Sequence, residues 1–276
     1  MQTGANFDDI HYSRSIYIVV CVRVHKEERS KFMSDKDPIL FYFSARSPFV
    51  YIAIHRLLRS PEFASYNFEL RAINPMNLSS FSNPTDYPAK TAYIMLDAAR
   101  QAEEANLPIA QKYLQFAKMM ETTIKQGAST SRSVSRKEDW LTPAMCHAYA
   151  SKFNKEWEFA ETICQRHWGV GESGGRQIVW EHSVLESVAN DIGLDGKEMI
   201  HSLKFDNTLK EMVERWTKEA NDSLVFGFPM FVYKGERFWG NDRLPFLLKR
   251  LRGDEMMPRI TVGDAAVVRR RSGSKL

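Results

Sequence analysis

The order in which strand and helix signals follow one another limits this chain most. Ile39–Phe43 is a short apolar run rich in strand formers. Ser47-Pro48 then opens a helix: serine is a favoured N-cap, and proline suits the first helical position, where its missing N–H has no partner anyway. Val50, Ile54, Leu57 and Leu58 recur at helical spacing, and Ser60-Pro61 ends the run. Phe68–Ile73 alternates and reads as a second strand, parallel to the first across a crossover. Far downstream, Phe228–Tyr233 and Glu236–Trp239 flank Lys234-Gly235 and read as a hairpin. Gly240-Asn241-Asp242 leads into an amphipathic helix over Leu244–Leu251, closed by Gly253. Everything between reads as helix. One pattern starts at Pro88, breaks at Leu107-Pro108 and resumes over 109–125; others cover 140–168 and 179–219. Gly171–Gly175 separates the latter two, and Gly193 and Gly196 break the last. In the first helix Ala92, Tyr93, Met95, Leu96 and Ala99 are expected to line the apolar side. The order is βαβ, helical block, ββα. It predicts an α/β fold in which two outer pieces build one mixed sheet and an all-helical domain is inserted between them.

The expected boundaries are an N-terminal extension over 1–36, a first half over 37–85, the helical insert over 86–217, a second half over 218–253 and a tail over 254–276. Ser15–Val24 in the extension could add one strand, and the Ser-rich stretch 126–139 reads as a mobile loop. With 276 residues, 43% hydrophobic and 26% charged, the chain can bury a sizeable core. The net charge of +4 includes Arg269-Arg270-Arg271, so the body is nearly neutral and carries no nucleic-acid footprint. Cys21, Cys146 and Cys164 are far apart and form no Cys-x-x-Cys pair. They read as small buried hydrophobes in a reducing compartment, not as disulfides or zinc ligands. No apolar run reaches membrane-spanning length, and Asp8 and Asp9 argue against a signal or transit peptide. Ser274-Lys275-Leu276 matches the C-terminal peroxisome address, which makes a peroxisomal import receptor an expected partner; without peroxisomes the chain would be cytoplasmic.

Candidate site residues sit at the joints of this plan. Ser47 points a hydroxyl at a helix N-terminus, where free N–H groups and partial positive charge favour an anion. Two readings stand: a helix cap, or a hydroxyl that holds a thiolate or other anion over the helix end. Pro229 removes a ladder donor from a good strand, which suits an edge strand or a cis Phe228–Pro229 bond. Asp242 is a good N-cap in any protein. Lys90 lies in a first helical turn, where a cation opposes the macrodipole and a partner anion is favoured.

Phe-Tyr-Phe-Ser-Ala-Arg-Ser-Pro at 41–48, Pro-Ala-Lys-Thr-Ala-Tyr at 88–93, Phe-Gly-Phe-Pro-Met-Phe-Val at 226–232 and Phe-Trp-Gly-Asn-Asp-Arg-Leu at 238–244 occur in this order. Together they resemble the kappa-class glutathione transferases and the 2-hydroxychromene-2-carboxylate isomerases, relatives of DsbA, from about Phe41 to Leu251. The resemblance implies a thioredoxin-like fold with an inserted helical domain, and glutathione as cofactor. It assigns Ser47 to the glutathione sulfur and Phe228, before Pro229, to the tripeptide backbone. It assigns Asp242 with Asn241 to the γ-glutamyl end, and Lys90 with Asn83 to a glutathione carboxylate. The implied partner is a small electrophilic, unsaturated or aromatic substrate, and a homodimer is left open. Phe49 and Val50 stand where relatives often carry Tyr and Ser. Isomerisation is the leading expectation and transfer to the substrate the alternative. Two rivals are a non-catalytic binding module and a thiol oxidoreductase using Cys146 or Cys164.

Overall fold

The computed structural model describes residues 37–82, 87–126, 139–170 and 177–254. The expectations for 1–36 with Cys21, for Asn83, for the loop around 127–138, for Gly171–Gly175 and for Ser274-Lys275-Leu276 lie outside those residues.

Strand β1 (Ile39–Phe43) is central. It pairs in parallel with β2 (Phe68–Ala72) and antiparallel with β3 (Met230–Tyr233), which pairs antiparallel with β4 (Glu236–Trp239). The sheet order is β2-β1-β3-β4. This is the mixed sheet of a thioredoxin-like fold, and it joins the two outer pieces of the chain across the helical block. The register sets Phe41 beside Leu70 on one side and Phe231 on the other. Phe41 and Phe231 stack with ring centroids 4.7 Å apart, and Trp157 closes over Phe41 at 6.5 Å. A central strand covered on both faces loses its alternation, which is why Phe41, Tyr42 and Phe43 are all buried. Full burial of one such ring contributes roughly 1.5–3 kcal/mol.

Helix α1 (Pro48–Arg59) follows β1 and presents Val50, Ile54 and Leu57 inward, as its spacing predicts. The insert comprises α2 (Pro88–Glu104), α3 (Gln111–Lys125), α4 (Leu141–Lys152), α5 (Glu156–Trp168), α6 (His182–Asp191), α7 (Gly196–Phe205) and α8 (Asn207–Asp222). Two breaks escape the sequence pattern. Asn154, at φ 54°, separates α4 from α5, and Asp206 caps α8 by accepting from the Thr208 N–H. Asn tolerates the left-handed region and Asp competes for local N–H groups, so each ends a helix without Gly or Pro. Helix α8 runs to Asp222, and the return to the sheet follows it. The inward stripe of α2 is also corrected: Ala92, Ala98 and Ala102 are buried, whereas Tyr93 is 60% exposed. Small residues let α2 lie close to its neighbours, and the large ring is turned out. Helix α9 (Leu244–Leu251) closes the chain. No described helix is long and apolar enough to cross a membrane.

Candidate active site

Ser47 stands at the N-cap of α1 with extended backbone angles, but its side chain makes no capping bond. The hydroxyl instead donates across the fold to the carbonyl of Phe228, 3.1 Å away. The cap reading therefore fails for this side chain, although the position is that of a cap. The turn before it is held tightly. Ser47 N–H donates to the Ser44 carbonyl at 3.0 Å, and the indole N–H of Trp168 donates to the Ala45 carbonyl at 2.7 Å. An inserted helix thus anchors the turn that presents Ser47.

The Phe228–Pro229 bond is cis. No hydrogen bond among the described residues uses the Phe228 N–H. The Pro229 carbonyl accepts from the Gly240 N–H at 2.9 Å. Two hydrogen bonds thus chain the three motifs: Ser47 to Phe228, and Pro229 to the turn that carries Asn241 and Asp242. That turn, Asn241–Arg243, also packs on α1. Gly240 makes the approach workable. Its φ is +104°, and a Cβ there would stand 2.3 Å from the Asp242 carboxylate. Gly240→Ala is expected to cost about 1–3 kcal/mol in chemical denaturation and to displace Asp242.

Asp242 and Asn241 part company. The Asp242 side chain is 53% exposed, with Arg243 as a loose partner at 3.6 Å. Asn241 is buried, and its amide donates to Gln101 of α2 at 2.9 Å. Gln101 in turn donates to Asp97 at 2.8 Å. Asn241 therefore ties the turn to the helical insert, a link no local pattern announces. Lys90 is exposed in the first turn of α2, its ammonium 5.9 Å from the Tyr87 ring. It lies about 16 Å along the helix from Gln101 and is not drawn into contact with Ser47, Phe228 or Asp242. Sequence reasoning singled out neither Arg46 nor Phe81 as site residues. The guanidinium of Arg46 sits 6.0 Å from the Phe81 ring, and Phe81 packs 6.3 Å from Phe228. Phe226 and the exposed Trp239 pack against each other beside Gly227, where a Cβ would meet the indole at 2.8 Å. The site thus has an aromatic rim.

Cys146 and Cys164 are fully buried, and burial pushes both thiols well above the ordinary range. Neither presents a thiolate nucleophile. No cluster of metal-binding side chains occurs among the described residues. An open cavity of about 400 Å³ lies at the far end of α1, lined by His55, Arg59, Phe63 and Leu248 among others. Ser47 is not among its lining residues, and its charged groups are paired: Arg56 with Glu104 across the rim, and Arg59 and Glu62 with Glu161 and Arg252 outside it.

Comparison with known proteins agrees with this fold. A family model for the DSBA-like thioredoxin domain matches residues 38–252. A 2-hydroxychromene-2-carboxylate isomerase of Sphingobium xenophagum is 31% identical over 109 residues, 40% of this chain. The match spans about half, 51%, of that relative's length. Among solved structures, a 2-hydroxychromene-2-carboxylate isomerase superposes with TM-score 0.59 at 22% identity, covering 78% of this chain and 94% of the other. A probable DsbA oxidoreductase of Streptomyces coelicolor gives 0.56 at 14% identity, over 82% and 94%. The cytosolic disulfide reductase DsbM of Pseudomonas aeruginosa, solved with GSH, gives 0.53 at 16% identity, over 78% and 99%.

Proposed function

The chain belongs to the DSBA-like thioredoxin domain family, and from that premise we propose that it is a glutathione-dependent isomerase acting on a small unsaturated or aromatic electrophile. The carrying observation is the Ser47 hydroxyl. It occupies the head of α1, makes no cap and meets the carbonyl before the cis proline. A redox member of the family needs a thiol at such a place. This chain has an alcohol there, and its described cysteines are buried elsewhere.

The residues present fit a γ-glutamyl tripeptide. The Phe228 N–H and carbonyl can pair with an extended peptide as in strand addition. The exposed Asp242 carboxylate suits an ammonium group, and the Lys90 ammonium suits a carboxylate. Bound glutathione would supply the thiolate nucleophile. Ser47 would rotate its hydroxyl from Phe228 to the sulfur, and the N-terminal N–H groups of α1 would add their partial positive charge. Both favour the anion over the thiol. The aromatic rim of Phe81, Phe226, Phe228 and Trp239 would receive a flat substrate and keep water from it. Asn83 is assigned a supporting contact to the tripeptide. The isomerase relative in the comparison and the DsbM structure solved with GSH support this reading.

Calorimetric titration tests it. Wild-type protein should bind glutathione saturably at millimolar concentration or below. Asp242→Asn should weaken that binding about two- to fivefold, the loss of one partly solvated ion pair. No binding at all would leave a non-catalytic scaffold, the reading that the apolar Phe49 and Val50 suit better.

A further inference from the structure

Beside the turn that presents Ser47 lies a cavity of about 10 Å³. Phe43, Ser44, Ala45, Trp140 and His147 are among its lining residues. A volume of that order holds one water molecule. His147, on α4, is 1% exposed, and neither ring nitrogen has a hydrogen-bond partner among the described residues. A neutral imidazole carries one N–H donor and one lone pair, and leaving both unmet in an interior is costly. Phe43, Trp216 and Phe159 surround the ring, with centroids at 5.0, 5.7 and 6.2 Å, and none supplies an acceptor of ordinary strength. Ser44, just after β1, supplies a hydroxyl to the same cavity, whose lining also includes the indole of Trp140. It is 4% exposed, and its oxygen accepts only a long 3.4 Å bond from the Arg46 N–H.

We infer that one water molecule occupies this cavity and joins His147 to Ser44, so that the helical insert braces the turn from which Ser47 projects. The water accepts a hydrogen bond from the Ser44 hydroxyl or donates one to its oxygen, and it satisfies one imidazole nitrogen. The brace acts beside the Trp168–Ala45 bond of 2.7 Å. Because the Ser44 carbonyl receives the Ser47 N–H at 3.0 Å, a displaced Ser44 carries Ser47 with it. His147 is therefore a positioning residue that works through Ser44. The water site stands by itself; only its effect on a bound thiolate rests on the glutathione reading.

Three measurements on the full chain test it. A high-resolution crystal structure should show one water within hydrogen-bond distance of both His147 and Ser44, and a dry cavity would overturn the inference. Ser44→Ala, His147→Phe and the double variant form a cycle in urea unfolding. The double should cost no more than the worse single, whereas additive costs would remove the coupling. Should His147→Phe not fold, His147→Gln keeps a donor and an acceptor, and it should retain the coupling to Ser44. Finally, thiolate absorbance of bound glutathione should report a thiolate fraction about three- to tenfold lower in Ser44→Ala at neutral pH. An unchanged fraction would deny the brace a role in placing Ser47. If glutathione does not bind at all, the enzymatic reading falls, while the first two measurements still decide the water.

Discussion

Ser47→Ala is expected to lower glutathione-dependent turnover by about 10²–10³-fold, the loss that follows removal of one preorganised donor to a reacting anion. The fold should survive. The Ser47 side chain makes no capping bond, so the variant gives up none of the roughly 1 kcal/mol that a capping serine contributes. What it gives up is the bond to the Phe228 carbonyl at 3.1 Å, part-buried and worth about 0.5–1.5 kcal/mol. Steady-state kinetics and urea unfolding on the same preparation check both halves. A variant with wild-type kcat/KM would take Ser47 out of the chemistry. A large stability loss with intact turnover would mean that the hydroxyl serves as structural glue between α1 and β3. Glutathione affinity should change little, because Phe228 and Asp242 hold the tripeptide by its backbone and its ammonium.

The second large effect is acid lability centred on His147. Burial lowers its pKa from 6.5 to about 3, so the folded protein keeps it neutral. The unfolded chain takes up a proton near pH 6.5, and the folded chain does not until about pH 3. Unfolding therefore binds a proton throughout that window, and stability falls as pH falls through it. One such proton gives a slope of up to about 1.4 kcal/mol per pH unit, hence ~2–3 kcal/mol between pH 6.5 and 4.5. His55 acts in the same direction. Burial, then the Arg59 charge, lowers its pKa to about 4, while its bond to the Ala105 carbonyl partly offsets that. Being only partly buried, it adds less. Urea unfolding at a series of pH values should show this slope in wild type and lose most of it in His147→Phe. A variant that keeps the wild-type slope would assign acid lability to other groups. Asp206, whose carboxyl Lys152 and Thr208 hold below its ordinary range, is one such group.

Much of the architecture is legible in the sequence because its signals are local. Ser47-Pro48 starts a helix by a dihedral preference, Gly253 ends one at φ 83°, and Lys234-Gly235 turns a hairpin within two residues. The absence of Cys-x-x-Cys and the isolation of Cys146 and Cys164 also follow from reading along the chain. The breaks at Asn154 and Asp206 carry no such local signal. Both residues are merely permissive of helix ends, so only the packing of α4 on α5 and of α7 on α8 selects them. Tyr93 shows the same limit: periodicity cannot tell a ring that faces the core from one turned outward by small neighbours.

The candidate site was half legible. The residue types at 47, 229 and 242 stand out from the sequence alone. That Ser47 answers to Phe228, 181 residues away, and not to its own helix, only the folded sheet decides. The same holds for Asn241, whose polar side chain turns inward to Gln101, 140 residues distant, and leaves Asp242 as the exposed partner. The sequence by itself determined the order of elements, the helix that begins at Ser47 and the lack of a redox pair. Propensity, capping and dihedral limits act over a few residues and need no partner. Tertiary structure alone decided where each hydroxyl and amide points, because that depends on strand register and on which helix happens to lie opposite.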